Sequence, residues 1–207
     1  EIAGKGGFLA ACHFMQSING GPGLILSDVL GQSKAVIAII GAGTSGLSAT
    51  QMATSFGNRV ILLDISIKAL SKAKELYPNN LETLVSNAPN IAYAVSECDV
   101  LINCINWPKW RTDHLVTRDM LKTMKPGAMI VDVACDDHGA IETTVSTSHD
   151  NPIYVDEGVV HYCVDNIPSA YSRTASYSLS NATLPYALEI ANKGAAEALK
   201  DNPHLRS

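Results

Sequence analysis

Ala35 to Asp64 reads AVIAIIGAGTSGLSATQMATSFGNRVILLD, and this stretch decides the architecture. Val36 to Ile40 is an apolar run of strand length. It ends in Gly41-Ala42-Gly43-Thr44-Ser45-Gly46, a G-x-G-x-x-G turn. Behind the turn, Ala49, Met52, Ala53 and Phe56 fall at i, i+3, i+4 and i+7, one apolar face of a helix. Gly57 stands where a left-handed residue closes a helix. Val60 to Leu63 is a second buried strand, and Asp64 follows it, 23 residues after Gly41.

Each part has a physical role. Gly41 permits the sharp turn out of the strand, Gly43 lets a pyrophosphate approach the main chain, and Gly46 lets the helix pack close to the sheet. The helix start, at Thr44 and Ser45, offers unpaired N–H groups and a positive dipole end to phosphates. Asp64 can accept hydrogen bonds from a ribose diol and would repel a 2′-phosphate, so the pattern favours NAD over NADP. The competing reading, a glycine-rich structural turn, leaves the placing of Asp64 to chance.

Outward from this unit, strands and helices alternate. Residues 1–18 read as a helix despite three glycines, with Phe8, Leu9, Cys12 and Met15 on one face. After Asp64, Ser66 caps a helix through Tyr77, and Leu81 to Val85 is a third strand. Asn87 to Glu97 is a helix, and Asp99 to Asn103 a fourth strand. Thr117 opens a short helix with Met120, Leu121 and Met124, and Ala128 to Asp132 is a fifth strand. Ile153 to Val155 is a short extended piece and Val159 to Cys163 a sixth strand. Asn181 to Lys200 is a last helical region, with Pro185 in its first turn and Gly194 as a weak point. The alternation predicts an α/β fold, a Rossmann-type doubly wound parallel sheet in a single domain. Ligands of such sheets bind beyond the strand C-terminal ends where the order reverses. That selects the glycine turn, Asp64, the segment from Ser86, the end of the fourth strand at Asn103 with Cys104 and Ile105 after it, and the loop from Ala134.

The composition is that of an ordinary globular chain: 207 residues, 46% hydrophobic, 17% charged, formal net charge −5. It gives no electrostatic reason to expect nucleic acid or an anionic membrane as partner. No apolar run reaches the roughly 18 residues of a membrane span. Glu1-Ile2-Ala3-Gly4 is not the basic start of a signal peptide, and there is no initiating Met, so a processed or excised piece is expected. The five cysteines are odd in number and lack C-x-x-C spacing, which predicts reduced thiols, a cytoplasmic setting and no zinc.

A second constellation leaves the fifth strand: Asp132-Val133-Ala134-Cys135-Asp136-Asp137-His138-Gly139. It reads equally as carboxylates that polarise a reacting group and as a solvated acidic turn. His161, within an apolar strand, reads as a hydrogen-bonded structural histidine. Asn166-Ile167-Pro168 follows the sixth strand and points to the same ligand edge, where Asn166 reads as a carboxamide partner or as a turn residue.

Taken together, GAGTSG with Asp64, LVTRDMLKTMKPGAMIVDVACDD at 115–137, IETTVSTSHDNPIYVDEGVVHYCV at 141–164 and TASYSLSNATLPYALEIANKG at 174–194 resemble the NAD-binding half of alanine dehydrogenase. The resemblance covers essentially the whole chain. It implies reversible oxidative deamination of L-alanine to pyruvate and ammonium with NAD, by a cytoplasmic homo-oligomer. It assigns the pyrophosphate turn to Gly41, Gly43 and Gly46, the adenosine ribose to Asp64 and the adenine side to Ser86. Asn166, with Ile167, falls beside the nicotinamide, and Asp136 becomes the catalytic aspartate in preference to Asp137. Two segments depart from the family: Asp137-His138-Gly139, and the loop Asn106-Trp107-Pro108-Lys109-Trp110-Arg111. The family's substrate-binding histidine, lysine and arginine lie in a second domain built from both chain ends. Residues 1–18 then match a connecting helix, 19–180 the NAD domain and 181–207 a helix returning to that second domain. A domain of this kind is expected to bind NAD without turning over alanine alone. The alternatives are a non-catalytic NAD-binding module and a sister dehydrogenase or transhydrogenase-like domain.

Overall fold

A computed structural model describes residues 1–108, 110–135 and 139–206. The chain divides into two compact units, Glu1–Ile167 and Pro168–Ser207.

The first unit is built on a seven-stranded sheet in the order β3-β2-β1-β4-β5-β7-β6. The strands are β1 Val36–Ile40, β2 Arg59–Asp64, β3 Leu81–Val85, β4 Val100–Asn103, β5 Met129–Asp132, β6 Ile153–Asp156 and β7 Val159–Tyr162. β1, β4 and β5 are buried along their whole length, as strands covered on both faces must be. Pairing is parallel from β3 across to β7, which bears out the doubly wound reading. The exception is β6, antiparallel to β7 with Asp156 opposite Val159. Glu157 and Gly158 make that two-residue turn, both with positive φ (50° and 76°), the hairpin turn whose twist matches the strands. Ile153 to Asp156 is therefore a true edge strand, pinned by Arg118, whose guanidinium holds Asp156 and Glu157.

Helices cover both faces. Val36, Ala38, Ile40, Leu101 and Ile130 pack against Ile91, Ala94 and Val95 of α4 (Ala88–Glu97) and Leu121 of α5 (Arg118–Leu121). The other face carries α1 (Ile2–Phe14) and α2 (Thr44–Ser55), which pack on each other. α3 (Ile67–Leu76) lies against β2 and β3. The N-cap predicted at Ser66 holds, and Asn87 and Thr117, read as helix starts, cap their helices in the same way: each accepts the N–H three residues on. α2 buries Gly46, Ala49 and Ala53, whereas Phe56 stays 40% exposed and meets Phe8 edge-on at 5.3 Å. Small residues set a close helix–sheet distance, which leaves the large ring at the rim.

Two of the three glycines of α1, Gly4 and Gly7, are explained by the same closeness. A Cβ on Gly4 would stand 2.0 Å from the Ser45 carbonyl oxygen and 2.4 Å from Ser48 Oγ. On Gly7 it would meet Val131 and Val133 methyls at 3.1 Å. Ser48 Oγ also donates to the Glu1 carbonyl at 2.8 Å, so the start of α1 is stitched to the start of α2.

The second unit is helical: α6 (Ser172–Lys193), α7 (Ala195–Asp201) and a 3₁₀ turn at Pro203–Leu205. α6 begins nine residues before the predicted Asn181, because Ser172 to Ser180 carry no apolar stripe and no residue of α6 is buried. Pro185 consequently lies inside the helix, not in its first turn. There it withholds one N–H from a ladder whose exposed carbonyls can turn to water. Gly194, with φ of 80°, ends α6 and divides it from α7. Among the described residues no helix is long and apolar enough to cross a membrane.

Gly4→Ala should destabilise the fold by about 1–3 kcal/mol through overpacking against the α2 start. A lowered urea midpoint at unchanged slope is the expected reading, and an unchanged midpoint would show that the two helices can part.

Candidate dinucleotide site

The strand order reverses between β1 and β4, and the glycine turn sits there. Gly41 has φ of 101°, and a Cβ on it would press on Cys104 main-chain atoms and on Ile105 Cγ1 at 3.2 Å. The turn after β1 and the loop after β4 are thus in van der Waals contact. Gly46 is tighter still: a Cβ there would fall 1.7 Å from the Gly41 carbonyl oxygen. Gly43 differs, since its Cβ would meet nothing within 4 Å. Two of the three glycines are demanded by the protein's own packing. The third opens on free space at the head of α2, where the N–H groups of Thr44, Ser45 and Gly46 have no intrahelical acceptor. This is the opening a pyrophosphate requires, so the residues present fit a dinucleotide.

Asp64 ends β2 beside that opening. Its Oδ2 accepts the Ala42 N–H at 2.6 Å and its Oδ1 the Ser66 N–H at 2.7 Å. The carboxylate joins the glycine turn to the start of α3 and keeps lone pairs for further donors. A crevice of about 310 Å³ lies here, lined by Ala42, Gly43, Thr44, Leu47, Ser66, Lys68, Ala69 and Lys72. Ser86, half-buried, donates its N–H to the Asp64 carbonyl at 2.9 Å and so stands at the same edge. A larger hollow of about 550 Å³, at the far end of α2 by Cys12, Ile25 and Phe56, has no charged side chain in its lining.

The β4 and β5 exits are held by a buried pair. Asn103 Nδ2 donates to Asp132 Oδ1 at 2.8 Å, and both residues are fully buried. Asn103 Oδ1 accepts from Ile105 N–H and Asp132 Oδ1 from Ala134 N–H, each at 3.2 Å. The pair therefore aims the two loops that leave the strands, and Asn103 does so from beneath them. Cys104, half-buried, has its thiol pushed up to about 12 by burial first and then by the Asp132 carboxylate, so it stays neutral. Asp132 was not singled out from the sequence; a carboxylate closing an otherwise apolar strand was the signal for it.

Beyond β7, Asn166 is exposed with φ of 57° and Ile167 is buried. The turn reading of Asn166 fits that conformation. Asp136, with Asp137 and His138, lies outside the described residues. Cys135 just before them has its thiol raised above the usual range by a hydrogen bond with Cys163 and by burial. His161 is fully buried between the Thr143 hydroxyl (2.8 Å) and the Val159 carbonyl (2.9 Å), with Tyr154 stacked on it. Burial lowers its pKa, as expected for a structural histidine. In the departing loop, Trp107 is buried, donates to the Asp113 carbonyl at 2.9 Å and carries Arg111 over its ring at 4.2 Å. Trp110 is 81% exposed. All five cysteines are free thiols, and no group of metal-ligating side chains occurs among the described residues.

An open, mostly parallel sheet with this turn at its reversal point defines a Rossmann-type nucleotide-binding domain. More narrowly, the chain belongs to the alanine dehydrogenase/PNT C-terminal domain family, which matches residues 7–207. Alanine dehydrogenase of Methanococcus maripaludis is 43% identical over 206 residues, 99% of this chain and 55% of that protein. That of Bacillus subtilis is 43% identical over 208 residues, 100% of this chain and 55% of that protein. A solved L-alanine dehydrogenase superposes with a TM-score of 0.91 at 37% identity, covering 99% of this chain and 56% of that one. A transhydrogenase from Sinorhizobium meliloti, at 24% identity and a TM-score of 0.64, shares the fold over 80% of this chain and 47% of its own. The chain thus spans about half the length of the relatives it matches.

Asn103→Ala should cost about 2–3 kcal/mol, because it strips a donor from a buried carboxylate. Denaturant titration reads the loss, and a cost near zero would mean that water replaces the amide.

Proposed function

We propose that this chain is the NAD-binding domain of an alanine dehydrogenase-type oxidoreductase. One observation carries the reading. The position of the missing Gly43 side chain is open, at a helix start, beside a carboxylate on the neighbouring strand end. Bound NAD would supply the two-electron acceptor that takes hydride from the alanine Cα.

The rest is the work of this chain's own groups. Thr44, Ser45 and Gly46 N–H groups receive the pyrophosphate, and Asp64 accepts from the adenosine ribose hydroxyls. Ser86 borders the adenine. Cys104 and Ile105, set by the Asn103–Asp132 pair, line the path toward the nicotinamide. Asn166 and Ile167 would border the nicotinamide, and Asp136 would orient the amino group or hold its proton. Conversion of alanine to pyruvate and ammonium is the activity we assign to the whole protein, as a cytoplasmic homo-oligomer.

Calorimetric titration of this chain with NAD should show one site. Asp64→Ala should weaken it by about tenfold or more, through the lost charge-assisted hydrogen bonds, and narrow the gap between NAD and NADP. Equal affinities in both proteins would remove Asp64 from the site. In the whole protein, Asp136→Asn should lower kcat for alanine-dependent NADH formation by about a hundredfold or more. An unaltered kcat would exclude that carboxylate from the chemistry.

A further inference from the structure

Cations in the Glu1–Ile167 unit are almost all committed. Among its described residues, every lysine and arginine but two reaches a carboxylate or carbonyl oxygen within hydrogen-bond distance. The two are Lys68 and Lys72, one turn apart on α3, and both line the crevice beside Ala42, Gly43 and Thr44. Two uncompensated positive charges thus face one side of the opening in which the ribose would lie.

Asp64 is fixed in place by the main chain around it. Each of its oxygens already receives a main-chain N–H, from Ala42 and from Ser66, which tie it to the glycine turn and to the head of α3. Asp64 thus holds the N–H groups of two residues that line the crevice, Ala42 and Ser66, and the two ammonium groups line the same crevice. A ribose diol uses the carboxylate alone. A 2′-phosphate, with a charge of about −1.5 to −2, would be repelled by Asp64 and attracted by two lysines on flexible stems.

We propose that Lys68 and Lys72 form a subsite for a ribose 2′-phosphate, so that the domain binds NADP as a weaker second ligand beside NAD. The proposal rests on the dinucleotide reading of the site above. It adds to that reading the sugar substituent the crevice accepts.

The test is titration of the full chain with NADH and NADPH, followed by nucleotide fluorescence, in wild type, Lys68→Ala/Lys72→Ala and Lys68→Arg/Lys72→Arg. NADPH should bind the wild type more weakly than NADH. The alanine pair should lower NADPH affinity by about tenfold and NADH affinity by less than about threefold, the scale of two exposed ion pairs. The arginine pair should restore NADPH binding, and adenosine 2′,5′-bisphosphate should compete with NADPH better than 5′-AMP does. Loss of both nucleotides to the same degree in the alanine pair would show that the lysines serve the shared pyrophosphate, and would overturn the proposal. NADH binding with no detectable NADPH binding would overturn it as well. Failure of both nucleotides to bind wild-type protein would instead remove the dinucleotide reading itself.

Discussion

The edge of the sheet that faces ligand depends on main chain packed directly against main chain. No side chain, not even a methyl, fits between Gly46 and the Gly41 carbonyl. This contact holds the head of α2 over the reversal point between β1 and β4. It also brings the turn against Cys104 and Ile105 of the neighbouring loop. The floor of the crevice is rigid where it is made this way, because main chain has no rotamer to change. Its one soft place is Gly43, whose missing side chain faces open space.

Two carboxylates then organise the loops. Asp64 ties the turn to α3 through two N–H groups. Asp132, buried, ties the β4 loop to the β5 loop through Asn103. One stands at the surface with lone pairs to spare, and the other is enclosed and shapes the site from below. The same residue type thus stays open to further donors in one place and is enclosed scaffold in the other, and burial decides which.

Much of this was legible in the chain. The β1–turn–α2–β2–Asp64 unit carries its own periodicities, and the caps at Ser66, Asn87 and Thr117 are local signals that tertiary packing left intact. What was not legible is non-local or lacks an apolar pattern. The β6–β7 hairpin turns on Glu157 taking positive φ, which its residue type does not announce. The first nine residues of α6 show no stripe because nothing buries them. Asn103 and Asp132 lie 29 residues apart, and their hydrogen bond exists only once β4 and β5 are neighbours. Lys68 and Lys72 look like any solvated pair until the partners of all the other cations are known.

The contact between Gly4 and Ser45 has a mechanical consequence. With the Ser45 carbonyl set where a side chain at Gly4 would be and the Ser48 hydroxyl on the Glu1 carbonyl, the first helix cannot slide along its axis while the turn stays still. A push on the first helix is therefore passed directly to the head of α2 and the glycine turn. Tension or torque applied to that helix reaches the turn through packed backbone, with no pliable linker to absorb it.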